Sequence, residues 1–375
     1  MKLTKLVALL LCTAIMCLAF AGCGKKEGYT DYDWEPEVEV ALEYDLYIFA
    51  DGDITDSTAK AQKTVNSKIN QYLSEKYNTT VNIKYISADT IEKYEAELKS
   101  QLANPQTTTG TRVKGGAIVL ITSETLHNYL ADSGMLVDIA PFLASKEFGT
   151  LNIQISPTLI QAASVVKDEV SHLYCLPNNH VIGEYEYTIV NVEIAEGYYN
   201  FSAERELCEM KIVDGVPNDE ASELIESVTD HNVDDVIRVV KGSYADKAQW
   251  EKEGYVCNVS KYPEATKADT LKSAFGIIKA QDSASAPKDY DKRAMEVIYA
   301  INSNEEIRNV LQYGIEHTHY TFDENGVVVP IEDNGYYMNL LYTGDVFKAY
   351  YSATWTADMA ESGKNQNKES VYLGK

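Results

Sequence analysis

The stretch GAIVLIT, at residues 116–122, is an unbroken apolar run that ends in a polar residue. Alternation of apolar and polar residues is typical of a strand with one buried face, and this run shows none. A short run of β-branched and aliphatic residues without alternation is typical of a strand covered on both faces. Such strands occur in parallel sheets flanked by helices, so the run predicts an α/β fold.

Two strand–helix pairs precede this run. YDLYIFA (44–50) is rich in aromatic and β-branched residues, and VNIKYI (81–86) alternates, so both predict strands. Apolar residues recur at helical spacing through 56–77, and Asp89 followed by Glu92 is typical of a capping box that opens a second helix. The order β-α-β-α-β predicts a parallel sheet with helices against it.

The remainder of the chain has a mixed pattern. A Pro-Asn-Asn turn leads into strand-like YEYTIV (185–190), and residues 201–242 are acidic with a mainly helical pattern. The other predicted elements are a strand at 275–280, helices at 289–302 and 304–314, a β-rich piece at 318–331 with a turn at 324–326, and a helical tail at 336–351.

The N-terminus has the order of an export signal. Two lysines precede an apolar run at residues 6–20, and small residues then lead into Cys23. The run is too short to favour a spanning helix. This order resembles the bacterial lipoprotein signal, which implies that residues 1–22 are removed and Cys23 is lipidated. We therefore predict a protein anchored through lipid to the extracellular face of a bacterial membrane, with residues 23–43 as an acidic tether; an ordinary signal peptide with an incidental cysteine is the alternative.

Charge and motifs exclude several function classes. The chain carries 33 Lys and Arg against 57 Asp and Glu, a net charge of −24, so it repels phosphates and nucleic acid is excluded as a partner. No GxSxG, HExxH, phosphate-loop or GxGxxG motif occurs, so we predict no enzyme activity and no cofactor. Outside the leader and Cys23, the cysteines are Cys175, Cys208 and Cys257; a Cys208–Cys257 bridge and three buried thiols both stay open.

Four segments carry a resemblance to a known family: the Cys23 region, SGMLVDIAPFL (133–143), CLPNNHVIGEYEYTIVN (175–191) and AMEVIYAINSNEEIRNVLQYGIEHTHYTFDENG (294–326). Together they resemble family 1 of the extracellular solute-binding proteins of ABC importers, and in particular the lipoprotein members that handle sugars. The last segment is similar to the family's helix, turn and Tyr-Gly close. His317 stands where the family usually has glycine, and the second lobe is short.

The resemblance implies a two-lobed α/β fold, periplasmic-binding-protein-like of type II, with a cleft between lobes joined by crossing strands. Lobe 1 would cover 44–182 with 275–335, and lobe 2 would cover 183–274 with 336–375. It implies a monomeric receptor that delivers a small solute, an oligosaccharide, to the transmembrane subunits of an ABC permease by hinge closure. The alternatives are a surface-anchored carbohydrate-active hydrolase, suggested by the many carboxylates, and an envelope lipoprotein without a transport role.

Ligands of open parallel sheets lie beyond the carboxyl ends of the strands. This rule selects Asp51, Asp53 and Ser123, which follow the first and third strands; helix capping is the alternative role of Asp53. Asn178 and Asn179, at the first crossover, offer amide donors and acceptors, although a turn behind Pro177 needs such residues too.

Aromatic side chains stack on the C–H faces of sugar rings, and the chain has 27 Tyr. Our aromatic candidates for the ligand site are Tyr185, Tyr187, Trp250, Tyr320 and Trp355, each of which has core packing as its alternative role. His317 and His319 have the spacing of two metal ligands on a strand but lack a third nearby, so we predict no metal site.

Overall fold

A computed structural model describes most of the chain that follows the predicted leader and tether. The residues described are 40–51, 56–104, 112–167, 169–191, 212–213, 216–217, 236–280, 286–332 and 336–373. Cys23, Asp53 and Cys208 lie outside them, as does most of the predicted acidic helical region, and the predictions on these residues stay predictions.

The secondary structure alternates between strands and helices in the first part of the chain. The strands are β1 (Leu42–Asp51), β2 (Thr79–Ala88), β3 (Arg112–Ile121), β4 (Val165–Lys167), β5 (Val170–His172), β6 (Leu176–Pro177), β7 (Tyr185–Asn191), β8 (Ile212–Val213), β9 (Val216–Pro217), β10 (Ile237–Gly242), β11 (Tyr255–Lys261), β12 (Ala274–Ile278), β13 (Tyr320–Phe322) and β14 (Val328–Pro330). The α-helices are α1 (Asp56–Tyr77), α2 (Ile91–Ala103), α3 (Glu124–Asp132), α4 (Ala140–Leu143), α5 (Leu151–Gln154), α6 (Pro157–Ala163), α7 (Tyr244–Lys252), α8 (Lys267–Thr270), α9 (Tyr290–Ser303), α10 (Glu305–Tyr313) and α11 (Ala357–Glu369).

A five-stranded sheet with the order β2-β1-β3-β12-β6 forms the larger layer. β1 pairs in parallel with β2 and β3, as predicted, whereas β12 runs antiparallel to both β3 and β6. Four successive residues of β3, 118–121, are fully buried. Because successive side chains of a strand point to opposite faces, both faces of this strand are covered, as its unbroken apolar run predicted.

A separate antiparallel sheet with the order β10-β7-β11 forms the smaller layer. The predicted strand at 185–190 is confirmed as β7, but residues 237–242, predicted as helix, form the strand β10. Ile237 and Gly242 of β10 are buried, and β10 pairs along its length with β7. Tertiary pairing therefore overrides the helical pattern of that segment.

The predicted helical tail at 336–351 is wrong. This segment forms two short 3₁₀ turns, Leu340–Thr343 and Val346–Lys348, and a helix that the sequence did not predict, α11, follows. The side chains of Asn339 and Asp345 accept hydrogen bonds from the backbone two residues on, which competes with helix formation. Gly344, between the turns, has a φ of 101°, which no helix tolerates.

The start of α2 also differs from its prediction. Thr90, not Asp89, is the N-cap and accepts a hydrogen bond from the Lys93 backbone N–H at 3.3 Å. Asp89 instead pairs with the Lys93 ammonium at 2.7 Å. The helices at 290–303 and 305–313 and the hairpin of β13 and β14 agree with their predictions. No helix among the described residues has the length and apolar character needed to cross a membrane.

Candidate functional site

The carboxyl ends of the parallel strands meet at one edge of the five-stranded sheet. β12 runs the other way, so it begins where β3 ends: Ala274 pairs with Ile121 on one side and with Pro177 of β6 on the other. The residues just beyond these pairs, which are Thr122 after β3, Ser273 before β12 and Asn178 after β6, therefore lie in a row. We call this row, together with Ser123, the crossover edge.

The chain passes between the two sheets at the crossover edge. It leaves β6 through residues 178–184 to enter β7, and it returns from β11 to β12 through residues 262–273. A third segment passes Leu341, whose carbonyl contacts both Asn178 and Ser273, and continues into α11, which packs on α7 beside the smaller sheet. Ligands of open α/β sheets bind outside the carboxyl ends of the strands, which is where these segments cross.

Ser123 follows β3 at the crossover edge and has two structural partners there, and its contact with a solute stays a prediction. Its hydroxyl accepts a hydrogen bond from the Leu126 backbone N–H at 3.1 Å and so caps α3. The same hydroxyl donates to the carboxylate of Glu95 at 2.5 Å, and Thr122 donates to the same carboxylate oxygen at 3.1 Å. The α2 side chain Glu95 is buried, so it reaches this edge from beneath the hydroxyls.

Asn178 connects all three crossing segments. Its Nδ2 donates to Ser273 Oγ at 2.8 Å and to the Leu341 carbonyl at 3.3 Å, and its backbone N–H donates to the Ser273 carbonyl at 3.0 Å. Its Oδ1 is buried and has no hydrogen-bond partner. A buried acceptor without a donor is uncommon in folded proteins, and it marks a point where a further donor would be stabilised.

Both polar atoms of the Asn179 amide form hydrogen bonds, and their partners differ from those of Asn178. Nδ2 donates to the Gln154 carbonyl at 2.9 Å, and Oδ1 accepts from the Ser156 backbone N–H at 3.2 Å. Nδ2 also lies 3.4 Å from Oδ2 of Asp345, whose burial raises the pKa of its carboxyl group to about 6. Asn179 thus holds the first crossover against α5 and against the C-terminal segment.

His180 completes a run of three buried polar residues. Its Nδ1 lies 2.6 Å from the Asn178 carbonyl, and its Nε2 lies 3.1 Å from the Asp269 carbonyl in the second crossing segment. Burial, with Lys272 nearby, lowers the pKa of His180 to about 4, so the ring is neutral at pH 7. A neutral imidazole donates only one hydrogen bond, so one of the two carbonyls receives none from it.

The predicted aromatic candidates Tyr185, Tyr187 and Trp250 are brought together in the smaller sheet. The rings of Tyr185 and Tyr187 stack with centroids 5.1 Å apart, and Trp250 of α7 meets Tyr187 edge-on at 5.8 Å. Both tyrosines are buried; Tyr185 donates its hydroxyl hydrogen to Glu369 of α11 at 2.7 Å. Their visible role is to pack this layer, and contact with a solute stays a prediction.

The other two aromatic candidates lie in separate clusters. Trp355 is buried against Phe347 at 6.0 Å, and its Nε1 has no hydrogen-bond partner. Tyr320 packs in the β13–β14 hairpin against Tyr313 at 5.9 Å. Neither residue contacts the Tyr185 cluster through its ring.

His317 and His319 do not share a strand face. Residues 317–319 form a turn, and His317 has a φ of 60° and an exposed side chain, whereas His319 is buried and accepts a hydrogen bond from the Ile315 N–H at 2.8 Å. Within the described ranges, no group of three or more His, Cys, Asp and Glu side chains is arranged to hold a metal ion.

The two predicted aspartates after β1 are not tested by the structure. Asp51 is the last residue of β1, so its backbone reaches the carboxyl edge of the sheet, and Asp53 lies outside the described residues. Cys175 is a buried free thiol, and Cys257 is buried in β11, whereas the proposed partner of Cys257 lies outside the described part.

Sequence reasoning missed four residues that build the crossover edge and its surroundings: Glu95, His180, Ser273 and Asp345. Glu95 sits between Tyr94 and Leu98 on the buried face of α2, where a charged residue breaks the apolar pattern. That break was a usable signal. Ser273 and Asp345 carry no such signal, because their partners are more than 60 residues away in sequence.

No protein-family model and no curated protein sequence matches the chain, but solved structures with the same fold do. The N-glycan transport solute binding protein (NgtS) from Streptococcus pneumoniae is 14% identical to the chain, with a TM-score of 0.53 over 89% of this chain and 84% of that one. The NgtS structure in complex with Man1GlcNAc is 14% identical, with a TM-score of 0.52 over 88% and 84%, and the complex with Man5GlcNAc is 14% identical, with a TM-score of 0.51 over 88% and 83%. The chain therefore has the two-lobed α/β fold of periplasmic solute-binding proteins.

Proposed function

We propose that the chain is a carbohydrate receptor of the bacterial cell surface, held to the membrane through lipid at Cys23. In this proposal it captures an oligosaccharide between its two sheets and delivers it to the transmembrane subunits of an ABC importer. The observation that carries the proposal is the crossover edge, where hydroxyl and amide groups collect at the carboxyl ends of the strands and between two sheets. The likeness of the fold to NgtS, which was solved with glycans bound, supports a sugar as the solute.

The mechanism requires binding and closure rather than bond breaking. Hydroxyls and amides exchange hydrogen bonds with sugar hydroxyls, and a solute that contacts both sheets stabilises the closed arrangement of the two lobes. The crossing segments near residues 178–180 are the points about which the lobes would rotate, since the described chain links the sheets there. A closed receptor then presents the solute to the permease.

A binding screen tests this proposal on the purified full-length lipoprotein in detergent. Tryptophan fluorescence and melting temperature are measured with neutral oligosaccharides, peptides and polyamines. A solute at about 100 times its Kd stabilises the folded state by about 2.7 kcal/mol and raises the melting temperature of a chain of this length by roughly 3–5 °C. No response across the whole panel would contradict the proposal.

The Ser123→Ala variant tests whether the solute binds at the crossover edge. We expect about tenfold weaker binding from the lost hydrogen bond and a cap loss of about 1 kcal/mol in the free energy of unfolding. Ser243→Ala is the matched control, because Ser243 caps α7 through Asp246 and lies in the smaller layer. It should cost similar stability and leave affinity unchanged; equal affinity losses in the two variants would move the site away from Ser123.

Incubation of the protein with the same oligosaccharide in labelled form distinguishes a receptor from the alternative, a carbohydrate-active hydrolase. A receptor returns the labelled oligosaccharide intact after prolonged incubation, whereas a hydrolase returns fragments. The lipid anchor is tested separately by growing the producing cells with a labelled fatty acid. The protein should incorporate the label, and Cys23→Ser should abolish this incorporation.

A further inference from the structure

The two hydroxyl groups at the end of β3 already donate their hydrogen bonds to a protein acceptor. Thr122 and Ser123 both donate to one oxygen of Glu95, and a carboxylate only accepts. Ser123 Oγ also accepts from the Leu126 N–H, which leaves it a single lone pair. Any group that meets the half-buried Ser123 hydroxyl must therefore donate to it.

A second acceptor lies along the same edge. The Leu341 carbonyl can only accept, so it fixes the Asn178 amide with Nδ2 toward Leu341 and Ser273. Oδ1 consequently points away from them, and it has no partner. Asn178 and Thr122 lie on either side of β12, so two strand spacings of about 4.8 Å separate them by roughly 10 Å.

Two lysines lie near the crossover edge, and each already pairs with a carboxylate of the protein. Lys99 Nζ lies 4.0 Å from the second carboxylate oxygen of Glu95, and its side chain is partly exposed. Lys267 belongs to the second crossing segment, and its Nζ lies 3.8 Å from Oε1 of Glu124 and 3.3 Å from Oδ1 of Asn128, both on α3. The N-terminus of α3, which would otherwise favour an anionic ligand, already has Glu95 bound to its capping hydroxyl.

We propose that Glu95 sets the hydrogen-bond polarity of the crossover edge, so that the receptor selects neutral oligosaccharides and rejects those that carry a carboxylate there. Glu95 is a positioning residue: it orients the hydroxyls of Thr122 and Ser123 as acceptors and opposes a second anion. The inference rests on the carbohydrate receptor proposed above and narrows its substrate class.

The test compares two solutes by calorimetric titration: the neutral trisaccharide that binds best in the panel, and the same trisaccharide with one hydroxymethyl group oxidised to a carboxylate. Wild-type protein should prefer the neutral form at least thirtyfold, because the carboxylate offers no donor and is repelled. In Glu95→Gln the amide oxygen still accepts from both hydroxyls, because both donate to one oxygen of Glu95, so the variant removes the charge and keeps the hydrogen bonds. Affinity for the neutral form should stay within about twofold, and the preference should shrink by about threefold or more because the charge no longer repels the carboxylate.

Glu97→Gln is the matched control on the same helix, since Glu97 is exposed and bonds only to Gln101 one turn on, at 2.8 Å. It should keep both the affinity and the preference. A melting curve shows whether Glu95→Gln folds; if it does not, the wild-type preference alone decides. Equal binding of both trisaccharides by wild-type protein would overturn the inference and leave the carbohydrate receptor standing, whereas silence toward every sugar overturns both.

Discussion

Two regions of the molecule are equally buried and have opposite chemistry. In β3, residues 118–121 present only aliphatic side chains to their surroundings. In the crossover joint, which we define as residues 178–180, Asn178, Asn179 and His180 are also buried, but they bond to partners in α5, in the second crossing segment and in the C-terminal segment. Apolar burial is non-directional, whereas a hydrogen bond requires one geometry.

The difference assigns distinct tasks to the two regions. The strand contributes stability in proportion to the apolar area it buries, and it is indifferent to which neighbour supplies that area. The joint contributes less stability per residue, because each of its hydrogen bonds replaces one to water. It does, however, fix where three distant segments meet. We therefore expect changes in the strand to alter stability alone and changes in the joint to alter solute binding as well.

The largest expected effect is on the strand side. Ile118 is fully buried in the centre of β3, so Ile118→Ala should lower the free energy of unfolding by about 4 kcal/mol through lost apolar burial and the cavity left behind. Solute affinity of the folded variant should stay within about twofold of wild type. Urea unfolding and calorimetric titration measure the two quantities.

The same substitution at a solvated isoleucine supplies the control. Ile153 has 85% of its surface exposed, so Ile153→Ala should change the free energy of unfolding by less than about 0.5 kcal/mol. A large loss of affinity in Ile118→Ala would break the proposed division of tasks, because it would tie the apolar layer directly to binding.

A titratable group beside the joint should give a smaller, pH-dependent effect. Burial raises the pKa of Asp345 from its usual 3.8 to about 6, against the opposing influence of Phe347, Asn179, Lys348 and Arg308. The folded state thus favours the protonated carboxyl. The stabilisation is fully present below pH 3.8 and is lost as pH rises through about 6, which amounts to about 3 kcal/mol in the free energy of unfolding.

Asp345→Asn removes this titration and keeps an oxygen for the Phe347 N–H, which Asp345 accepts at 2.9 Å. The free energies of unfolding of wild type and variant, measured between pH 4 and pH 7.5, should shift relative to each other by about 2–3 kcal/mol in favour of the variant at the higher pH. The exposed Asp358→Asn on α11 controls for the loss of one charge. A constant difference between Asp345→Asn and wild type across this range would show that Asp345 does not titrate there.

The two regions also differ in how far the sequence predicted them. The strands of the larger sheet were predictable because the apolar, β-branched and aromatic composition of GAIVLIT and YDLYIFA itself indicates buried strands. The parallel order follows from the helices predicted between the strands. The failures lie where tertiary pairing decides. Residues 237–242 have a helical pattern yet pair with β7, and the tail at 336–351 has apolar residues at helical spacing that Asn339, Gly344 and Asp345 interrupt.

The places of Ser123 and Asn178 in the fold were predictable, whereas their contacts were not, and their role in binding stays a prediction. The rule that ligands lie at the carboxyl ends of strands selects Ser123, and the predicted first crossover selects Asn178; the structure brings both residues to the crossover edge. The rule could not place Glu95 beneath Ser123, because that contact joins residues 28 apart in sequence. The aromatic candidates show the converse: ring chemistry favours Tyr185 and Tyr187 as sugar contacts, whereas the structure buries both in the interior of the smaller layer.

After Ile118→Ala and Asp345→Asn, the smaller change in stability, and the one most informative about binding, is expected in the joint itself. Asn178→Ala removes the donors to Ser273 and Leu341, so the free energy of unfolding should fall by about 2 kcal/mol. Solute affinity should fall at least tenfold, since the crossing segments lose the contact that fixes their spacing. Asn152→Ala is the control, because the exposed Asn152 makes one bond of the same kind, to the Leu143 carbonyl at 2.8 Å. If Asn178→Ala loses stability as expected and binds solute as tightly as Asn152→Ala does, the joint is merely another part of the core.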